Sequence, residues 1–318
     1  MDIQKIKEHI DDILKETNFT QLGQKKVGKV RDIYIADDCL TLIATDRHSS
    51  FDRIIAHIPF KGEVLNQISL YWFDQTKDIV PNHVLSTPDP NVTIVKKVKV
   101  VPVEAVMRGY LTGVTDTSIW TRYQKGARQF GDLTLPDGLK KNTKLPTPVF
   151  DPTTKEDLHD RAITTAQMVA EGLITEELLA QIKNTATKLF RRGQEIAAKR
   201  GLILVDTKYE FGLDENDKLI LIDEIHTPDS SRYWKAGSYQ DRFEKGEDPE
   251  YFDKEFLRLW FKEHCDPYKD EILPPAPPEL VAELSRRYIE IYEMITGQHF
   301  KHDFSLPVIE RITKNLRK

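Results

Sequence analysis

The residues best suited to chemistry lie in a late β-hairpin pattern, where acids and a lysine alternate with apolar residues. The first run reads Val205 to Gly212, and alternation puts Asp206, Lys208 and Glu210 on one face of the strand. After a polar turn, a second apolar run ends at Asp223. Magnesium prefers one or two carboxylates plus phosphate oxygens, and a lysine can neutralise a transferring phosphoryl group. The hairpin therefore predicts a magnesium–polyphosphate site, with cross-strand charge pairs on an exposed strand as the alternative.

A glycine loop near the start of the chain could contact phosphates. It reads Gly28, Lys29, Val30 and Arg31 and lies within β-like sequence. Glycine lets backbone amides approach phosphates, while the two cations add positive charge. The loop is not a Walker A motif, because it has no helix-opening Gly-Lys-Ser/Thr sequence. An ordinary hairpin turn with solvated lysines is the alternative interpretation.

Further segments combine hydroxyls, acids and arginines near predicted strand ends. Thr45 to Asp52 and Thr227 to Trp234 suit a phosphorylated or carboxylated ligand, and a capped turn is the alternative for the first. Val103 to Tyr110 puts Arg108 at the end of a buried strand, where it needs a carboxylate partner or an anionic ligand. The His159–Asp160 pair could handle protons, orient an amine or be structural.

Strands early in the chain and helices later must position these residues. Periodicity predicts an opening helix at 3–15, β-like runs at Gly28–Ile35, Leu40–Ala44 and Thr93–Val103, and a helix at Gly62–Phe73. Residues 112–160 are rich in Gly and Pro and predict a long loop that covers substrate. Residues 164–200 predict two helices, with starts at Thr164 and Thr175. The tail from about 251 is helical and is interrupted by a proline-rich stretch at 274–278.

Composition narrows the class of protein. At 318 residues the chain exceeds the usual size of one core, which predicts two lobes. A net charge of −5 provides no basic field for nucleic acid. Cys39 and Cys265 lack the spacing of a zinc site and indicate free thiols in a reducing compartment. No apolar run suits a membrane span, and the N-terminus resembles neither a signal nor a transit peptide, so we expect a cytoplasmic protein.

Taken together and in order, these segments resemble the SAICAR synthetase family, the phosphoribosylaminoimidazole-succinocarboxamide synthases. The matching segments are 28–34, 45–47 with 49–52, 103–110, 148–155 with 159–160, 205–212 and 223–234, and the remaining tail is similar to the C-terminal helices of longer members. The resemblance implies an α+β, two-lobed fold with antiparallel sheets, related to ATP-grasp and kinase-like architectures. We expect a strand-rich lobe at 1–111 with the glycine loop, and an α+β lobe at 112–318 with the metal-binding hairpin and the helical tail.

The resemblance also implies a reaction and a set of residue roles. The family joins L-aspartate to the carboxylate of CAIR, a phosphoribosylated aminoimidazole, and forms SAICAR, ADP and phosphate in purine (IMP) biosynthesis. ATP and Mg²⁺ are the implied cofactors, and an acyl phosphate is the implied intermediate. The implied ATP-binding residues are Gly28, Lys29, Val30, Arg31, Glu104 and Lys208, and the metal ligands are Glu210 and Asp223. The implied substrate-binding residues are Ser50, Asp52, Arg108, Asp160, Ser231 and Arg232, and the catalytic residues are Lys208, Asp160 and Arg108.

One position departs from the family pattern, and two other functions fit part of the sequence. Where the family has a serine that helps to bind the CAIR phosphate, this chain has Val114, so Thr112 or Thr115 would replace that hydroxyl or the contact would be weaker.

A small-molecule kinase could use the same hairpin but would not need aspartate. A regulatory nucleotide-binding protein would bind ATP without forming ADP. From the tendency of longer members, we expect a monomer rather than a dimer.

Overall fold

The computed structural model describes residues 1–51, 53–155, 161–252 and 255–317. The protein is α+β with antiparallel sheets, which confirms the predicted fold class. Residue contacts divide the chain into two compact units. The first unit comprises Met1–Tyr71, His83–Lys97 and Phe252–Lys318, and the second comprises Trp72–Asn82 and Val98–Tyr251. No helix of the described residues is long and apolar enough to cross a membrane.

The helices of the described residues are α1 Ile3–Glu8, α2 Lys61–Thr76, α3 Ile119–Gln124, α4 Thr165–Ala170, α5 Glu176–Lys199, α6 Ala236–Lys245, α7 Glu255–His264, α8 Pro278–Thr296 and α9 Val308–Asn315. The strands are β1 Gln24–Val27, β2 Arg31–Ile35, β3 Cys39–Ala44, β4 Arg47–Ser50, β5 Arg53–His57, β6 Val84–Asp89, β7 Val92–Lys96, β8 Lys99–Leu111, β9 Gln129–Phe130, β10 Leu133–Thr134, β11 Thr143–Phe150, β12 Thr153–Thr154, β13 Leu202–Leu213, β14 Leu219–Ile222 and β15 Ser231–Lys235.

The first unit is built on a five-stranded sheet in the order β1-β2-β3-β7-β6. Alternation along β2 turns Asp32 and Tyr34 inward, and Tyr34 joins an apolar cluster. The cluster contains Leu14, Phe19, Tyr34, Ile43, Val92, Val308 and Ile312. Because α9 contributes the last two of these residues, the C-terminal part of the chain belongs to the core of this unit.

The second unit is built on a sheet in the order β11-β8-β13-β14, with β12 paired to β8 and β15 paired to β13. Helix α5 covers β13 with a buried stripe that includes Ile182, Leu189 and Phe190. Thr175 caps its start, and Thr164 starts α4 with a capping box, so both predicted helix starts are confirmed. The predicted hairpin is also confirmed, because β13 and β14 pair antiparallel from Glu210 to Leu213.

The prediction of a long loop is only partly right for the segment 112–160, which the structure describes up to residue 155. It contains α3, the β9–β10 hairpin, β11 and β12, and it contributes to a buried apolar cluster. The cluster contains Leu111, Ile119, Tyr123, Phe130, Leu135, Leu145 and Val149. The elements here are short and are separated by Gly and Pro, so no periodicity extends far enough to be recognised in the sequence.

The two units divide the chain differently from the predicted boundary after residue 111. Strand β8 belongs to the second unit, because it pairs with β13 over most of its length. Helices α7, α8 and α9 belong to the first unit, although the sequence prediction placed the helical tail in the C-terminal lobe. The predicted opening helix also ends early, at Glu8. Sequence order therefore does not separate the units, and the predicted lobes remain a prediction.

Candidate active site

Acids and lysines meet along β13 in the second unit. Glu210 lies directly opposite Glu104 of β8, and both side chains are buried. Lys208 Nζ donates to Glu104 Oε1 at 2.6 Å and to Glu210 Oε1 at 3.1 Å. Lys155 forms an ion pair with the other oxygen of Glu210. We call Glu104, Lys155, Lys208, Glu210 and Asp223 the acid–lysine cluster.

Asp223 belongs to this cluster through its charge. It follows β14 directly and has a left-handed φ of 67°, which Asp tolerates better than most residues. Burial, and then repulsion from Asp223, raises the pKa of Glu210 above its ordinary value, although Lys208 and Lys155 oppose this rise. The Asp223 carboxylate therefore lies close enough to Glu210 for its charge to act on it, and the role of the pair as metal ligands stays a prediction.

Lys208 keeps its positive charge in this environment. Burial by itself would lower the pKa of Lys208. The charges of Glu210, Asp223 and Glu104 outweigh burial and raise that pKa above its ordinary value. The ammonium group is consequently available to a phosphate throughout the physiological pH range.

The cluster has an excess of negative charge, because three carboxylates face two ammonium groups. It also contains the cross-strand charge pairs of the alternative interpretation. However, Glu104 and Glu210 are only 7% and 6% exposed, so these are not pairs on a solvated strand. Within the described ranges, no group of three or more His, Cys, Asp or Glu residues could hold a metal. Glu210 and Asp223 could supply two oxygen ligands to a Mg²⁺ ion that also binds phosphate and water, and this role stays a prediction.

Two arginines and an aspartate form a row across three neighbouring strands. Asp206 of β13 pairs in register with Arg108 of β8 and with Arg232 of β15. Its Oδ2 lies 4.0 Å from Arg108 Nη1 and 3.6 Å from Arg232 Nη2. One position along, Thr207 Oγ1 and Ser231 Oγ are 2.7 Å apart. We call Arg108, Asp206 and Arg232 the arginine row.

The two arginines of the row have different partners. Arg108 Nε donates to Asp151 Oδ2 at 2.5 Å, and Arg122 pairs with the same oxygen. Burial would raise the pKa of Asp151, but the charges of Arg108 and Arg122 outweigh it and hold that pKa below its ordinary value. The buried arginine thus has the carboxylate partner that the sequence gave as one alternative. The Arg232 side chain is 33% exposed, against 9% for Arg108, so Arg232 is more accessible to a ligand.

The hydroxyl missing at Val114 has a neighbour that could replace it. Val114 is 70% exposed. Arg232 Nη1 donates to Thr112 Oγ1 at 3.4 Å, and this hydroxyl donates to Asn142 Oδ1 at 2.7 Å. Thr115 Oγ1 instead lies 3.5 Å from the hydroxyl of Thr117. Of the two predicted substitutes, Thr112 is the one in contact with the arginine row.

The glycine loop lies in the first unit, between β1 and β2. Gly28 N donates to Arg31 O at 2.8 Å, which closes the turn. Ser50 ends β4, and its buried Oγ has no hydrogen-bond partner among the described residues. Asp52 and Asp160, together with His159, lie outside the described residues. The predicted residues therefore form two sets, one in each unit.

Sequence reasoning missed three residues that contact the site. Lys155 lies in a segment that was matched to the family, but no role was assigned to it. Asp151 and Arg122 are the charged neighbours of Arg108. A signal for Asp151 existed, because a buried arginine requires an anion and Asp151 directly follows the apolar Val149–Phe150 pair. Lys155 gave no such signal, since a lone lysine in a Pro-rich segment is usually solvated.

The opposite face of β13 is anchored by a buried histidine. Tyr209 Oη lies 2.5 Å from His226 Nε2, and the Trp72 ring makes an edge contact with the imidazole at 4.7 Å. Burial lowers the pKa of His226 to about 3 and raises the pKa of Tyr209 well above its ordinary value. The neutral tyrosine hydroxyl and the neutral imidazole therefore share a hydrogen bond, and this bond supports the strand that carries Lys208 and Glu210.

We expect acid to destabilise the fold partly through His226. Between a folded pKa of about 3 and an unfolded pKa of about 6.5, only the unfolded chain binds this proton. The free energy of unfolding should thus fall by up to about 1.4 kcal/mol for each pH unit below about 6.5. His226→Gln removes the titration and retains an acceptor for Tyr209. Urea unfolding between about pH 7 and 5 should be less pH-dependent in the variant, and parallel profiles would contradict this role.

Comparison with known proteins identifies the family of this chain. The sequence matches the family described as SAICAR synthetase over residues 24–275, which is more than half of the chain. The chain belongs to the SAICAR synthetase family. The resemblance recognised from the motifs is thereby confirmed, and with it the class of ATP-dependent ligases of purine biosynthesis that join aspartate to CAIR.

Relatives and solved structures extend this family match to nearly the whole chain. The phosphoribosylaminoimidazole-succinocarboxamide synthase of Legionella pneumophila (strain Paris) is 56% identical over 306 residues, 96% of this chain and 98% of its own length. The chloroplastic enzyme of Arabidopsis thaliana is 54% identical, over 98% of this chain and 77% of its own length.

Two solved structures of the SAICAR synthetase family carry ligands. SAICAR-synthase from Saccharomyces cerevisiae, complexed with SAICAR, has a TM-score of 0.79 and 34% identity and covers 91% of this chain and 100% of its own. A SAICAR synthetase in complex with ADP has a TM-score of 0.66 and 26% identity over 88% of this chain and 100% of its own. These structures agree with the α+β fold and with an ATP-dependent family.

Proposed function

We propose that this SAICAR synthetase joins L-aspartate to the carboxylate of CAIR with ATP, and that the acid–lysine cluster binds the phosphates of ATP together with Mg²⁺. The observation that supports the cluster's role is its buried excess of negative charge around Lys208. A bound cation stabilises a buried excess of negative charge, and without a cation that excess lowers the stability of the folded state.

The reaction requires activation of a carboxylate. A carboxylate oxygen is a poor leaving group, so the amine of aspartate cannot displace it directly. Transfer of the γ-phosphoryl group of ATP to the CAIR carboxylate forms an acyl phosphate and releases ADP. The amine then attacks the carbonyl carbon, phosphate leaves and the amide forms. Such chemistry depends on alignment, charge neutralisation and exclusion of water rather than on a protein nucleophile.

Each charged group in the second-unit cluster has a proposed role. Glu210 and Asp223 would hold Mg²⁺, whose oxygen preference fits them and whose charge would relieve the repulsion that raises the pKa of Glu210. When bound, this ion neutralises charge on the phosphate oxygens. Lys208 contacts the phosphates as a permanent cation, and Glu104 holds its ammonium group in place. From the resemblance, Lys29 and Arg31 of the glycine loop also bind the ATP phosphates.

The arginine row would hold the phosphate of CAIR. Arg232 is the better candidate for direct contact, because it is more exposed than Arg108 and its ion pair with Asp206 is 3.6 Å long, against 2.5 Å between Arg108 and Asp151. Arg108 and Ser231 complete the subsite. Ser50, Asp52 and Asp160 remain predicted around the imidazole, its carboxylate or the incoming aspartate.

We expect Thr112→Val to raise the KM for CAIR about three- to tenfold with little change in kcat. The substitution keeps the shape but removes the hydroxyl beside Arg232, and a hydrogen bond to a charged group contributes about 1.5–3 kcal/mol at most. Thr112→Ser keeps the hydroxyl and should behave like the native enzyme. Initial rates at varied CAIR concentration measure both. An unchanged KM in Thr112→Val would exclude Thr112 as the substitute for the family serine.

The decisive test is an assay of ADP release with CAIR and aspartate omitted in turn. The ligase should release ADP at full rate only when both are present. A small-molecule kinase would release ADP without aspartate, and a regulatory nucleotide-binding protein would release none. Formation of SAICAR, followed by chromatography with absorbance detection, identifies the product. ADP release that is independent of aspartate would overturn the proposal.

We also propose that the protein is a cytoplasmic monomer. The two cysteines are unpaired, which suits a reducing compartment, and the longer members of the family tend to be monomers. Size-exclusion chromatography with light scattering should give a mass near 36.8 kDa. A mass near twice that value would overturn the monomer.

A further inference from the structure

Arg47, at the start of β4, directs a buried guanidinium group at the glycine loop. Nη2 donates to Gly28 O at 3.1 Å and Nε donates to Lys29 O at 3.3 Å. Nη1 donates to Lys15 O at 2.8 Å, and Nη2 also donates to Asp32 Oδ1 at 2.9 Å. This arginine lies in the segment predicted to bind an anionic ligand. Its donors are instead occupied by the protein itself, chiefly by carbonyl groups.

Three consecutive carbonyl groups of the loop are fixed in this way. Thr45 completes the set, because its N and Oγ1 donate to Val30 O at 3.0 and 2.8 Å. In a trans peptide the carbonyl group and the following N–H point in opposite directions, and the described residues contain no cis peptide. The N–H groups of Lys29 and Val30 therefore point away from Arg47. Backbone N–H groups held in this way form a typical anion-binding arrangement.

Asp32 fixes the orientation of the arginine. Its carboxylate is fully buried and also accepts from Thr17 N at 2.7 Å, while Lys25 Nζ lies 3.1 Å away. Burial would raise the pKa of Asp32, but hydrogen bonds from Thr17, Arg47 and Lys25 outweigh it and lower that pKa. The ion pair with Arg47 consequently stays charged at neutral pH, and the guanidinium plane has one defined position.

We propose that Arg47, assisted by Thr45, is a positioning residue that orders the glycine loop before ATP binds. This inference rests on the proposed function of the loop as a phosphate-binding element. A loop whose peptide planes are already oriented loses less conformational freedom when it binds phosphates. Arg47 itself contacts no substrate, and its effect is carried by the backbone of Gly28 and Lys29.

Arg47→Lys provides the main test, because one ammonium group cannot reproduce the planar array of donors. The KM for ATP should rise about tenfold, while the KM values for CAIR and aspartate stay within about twofold. Hydrogen–deuterium exchange of peptides covering residues 24–35 should become faster in the absence of ATP. A purely structural role would not separate the KM for ATP from the other two.

Arg311→Lys is the matched control, since Arg311 is also a buried arginine of the first unit. It is held by Glu63, Asp89 and Asn91 and makes no contact with the loop in the described structure. Its replacement should lower the melting temperature without a selective change in the KM for ATP or in exchange at 24–35. Thr45→Val is a milder second variant, for use if Arg47→Lys does not fold, and should raise the KM for ATP about threefold.

The outcomes distinguish the effect of Arg47 on the loop from the role of the loop in ATP binding. Unchanged exchange at 24–35 in Arg47→Lys would overturn Arg47 as a positioning residue. Faster exchange with an unchanged KM for ATP would overturn the link to ATP, and the failure would then lie in the proposed function of the loop. An equal rise in all three KM values would indicate general damage and would also overturn the proposal.

Discussion

Glu210→Gln should lower kcat by about 10²–10³-fold, the usual loss when one preorganised electrostatic contact is removed. The substitution keeps the shape of the side chain but removes the charge that would hold Mg²⁺ against the phosphates. Asp223→Asn should have a similar effect for the same reason. Because neither residue is proposed to touch the phosphoribosyl group, the KM for CAIR should change little. ADP release at saturating substrates measures the loss, and a titration with Mg²⁺ should show weaker apparent metal affinity.

The stability of these variants distinguishes a functional cluster from a structural one. Burial and repulsion from Asp223 raise the pKa of Glu210, so the charged form is disfavoured in the fold. Removal of that charge abolishes this repulsion. The resulting gain in stability offsets the stability that is lost with the ion pairs to Lys208 and Lys155. We therefore expect a melting temperature close to the native value despite the loss of turnover. Glu195→Gln, on the exposed surface of α5, is the matched control. Turnover near the native rate in Glu210→Gln would remove the metal-ligand assignment.

The residue pattern of β13 predicted the orientation of its side chains but not their partners on the neighbouring strand. Period-two alternation was sufficient to put Asp206, Lys208 and Glu210 on one face of β13 and Tyr209 on the other. It could not reveal that Glu104 lies opposite Glu210, because that pairing depends on the register between two strands about a hundred residues apart in sequence. The carboxylate that holds Lys208 was therefore assigned from the resemblance alone, without a partner.

The role of the Thr45–Asp52 segment illustrates a second limit. Residue types indicated a segment at a strand end that suits an anionic ligand, and this role stays a prediction. They did not show which way the arginine points. Arg47 turns inward and donates to backbone carbonyl groups. Because every residue has such a group, the sequence cannot indicate which of them accepts a hydrogen bond. Arg108 is the converse case. Burial predicted an anion for it, and Asp151 supplies the carboxylate. A buried charge thus predicts the need for a partner more reliably than the identity of that partner.

Arg232→Met should raise the KM for CAIR about 10–100-fold with kcat within about threefold of the native value. The proposed contact is to the phosphate of CAIR, which does not react, so ground state and transition state should lose the same binding energy. Arg232 is the better probe of the row, because replacement of Arg108 would leave Asp151 buried beside Arg122 alone and would disturb the fold. Initial rates at varied CAIR concentration measure the effect.

The control for Arg232→Met is Arg192→Met, which removes an arginine of the same unit that pairs with Asp78 at 2.9 Å. It should leave the KM for CAIR unchanged. If Arg232→Met lowers kcat and leaves the KM unchanged, the guanidinium group acts on the reacting atoms and not on the phosphoribosyl phosphate. The two arginines of the row would then have to exchange roles, with the Arg108–Asp151 pair opening to accept the substrate phosphate.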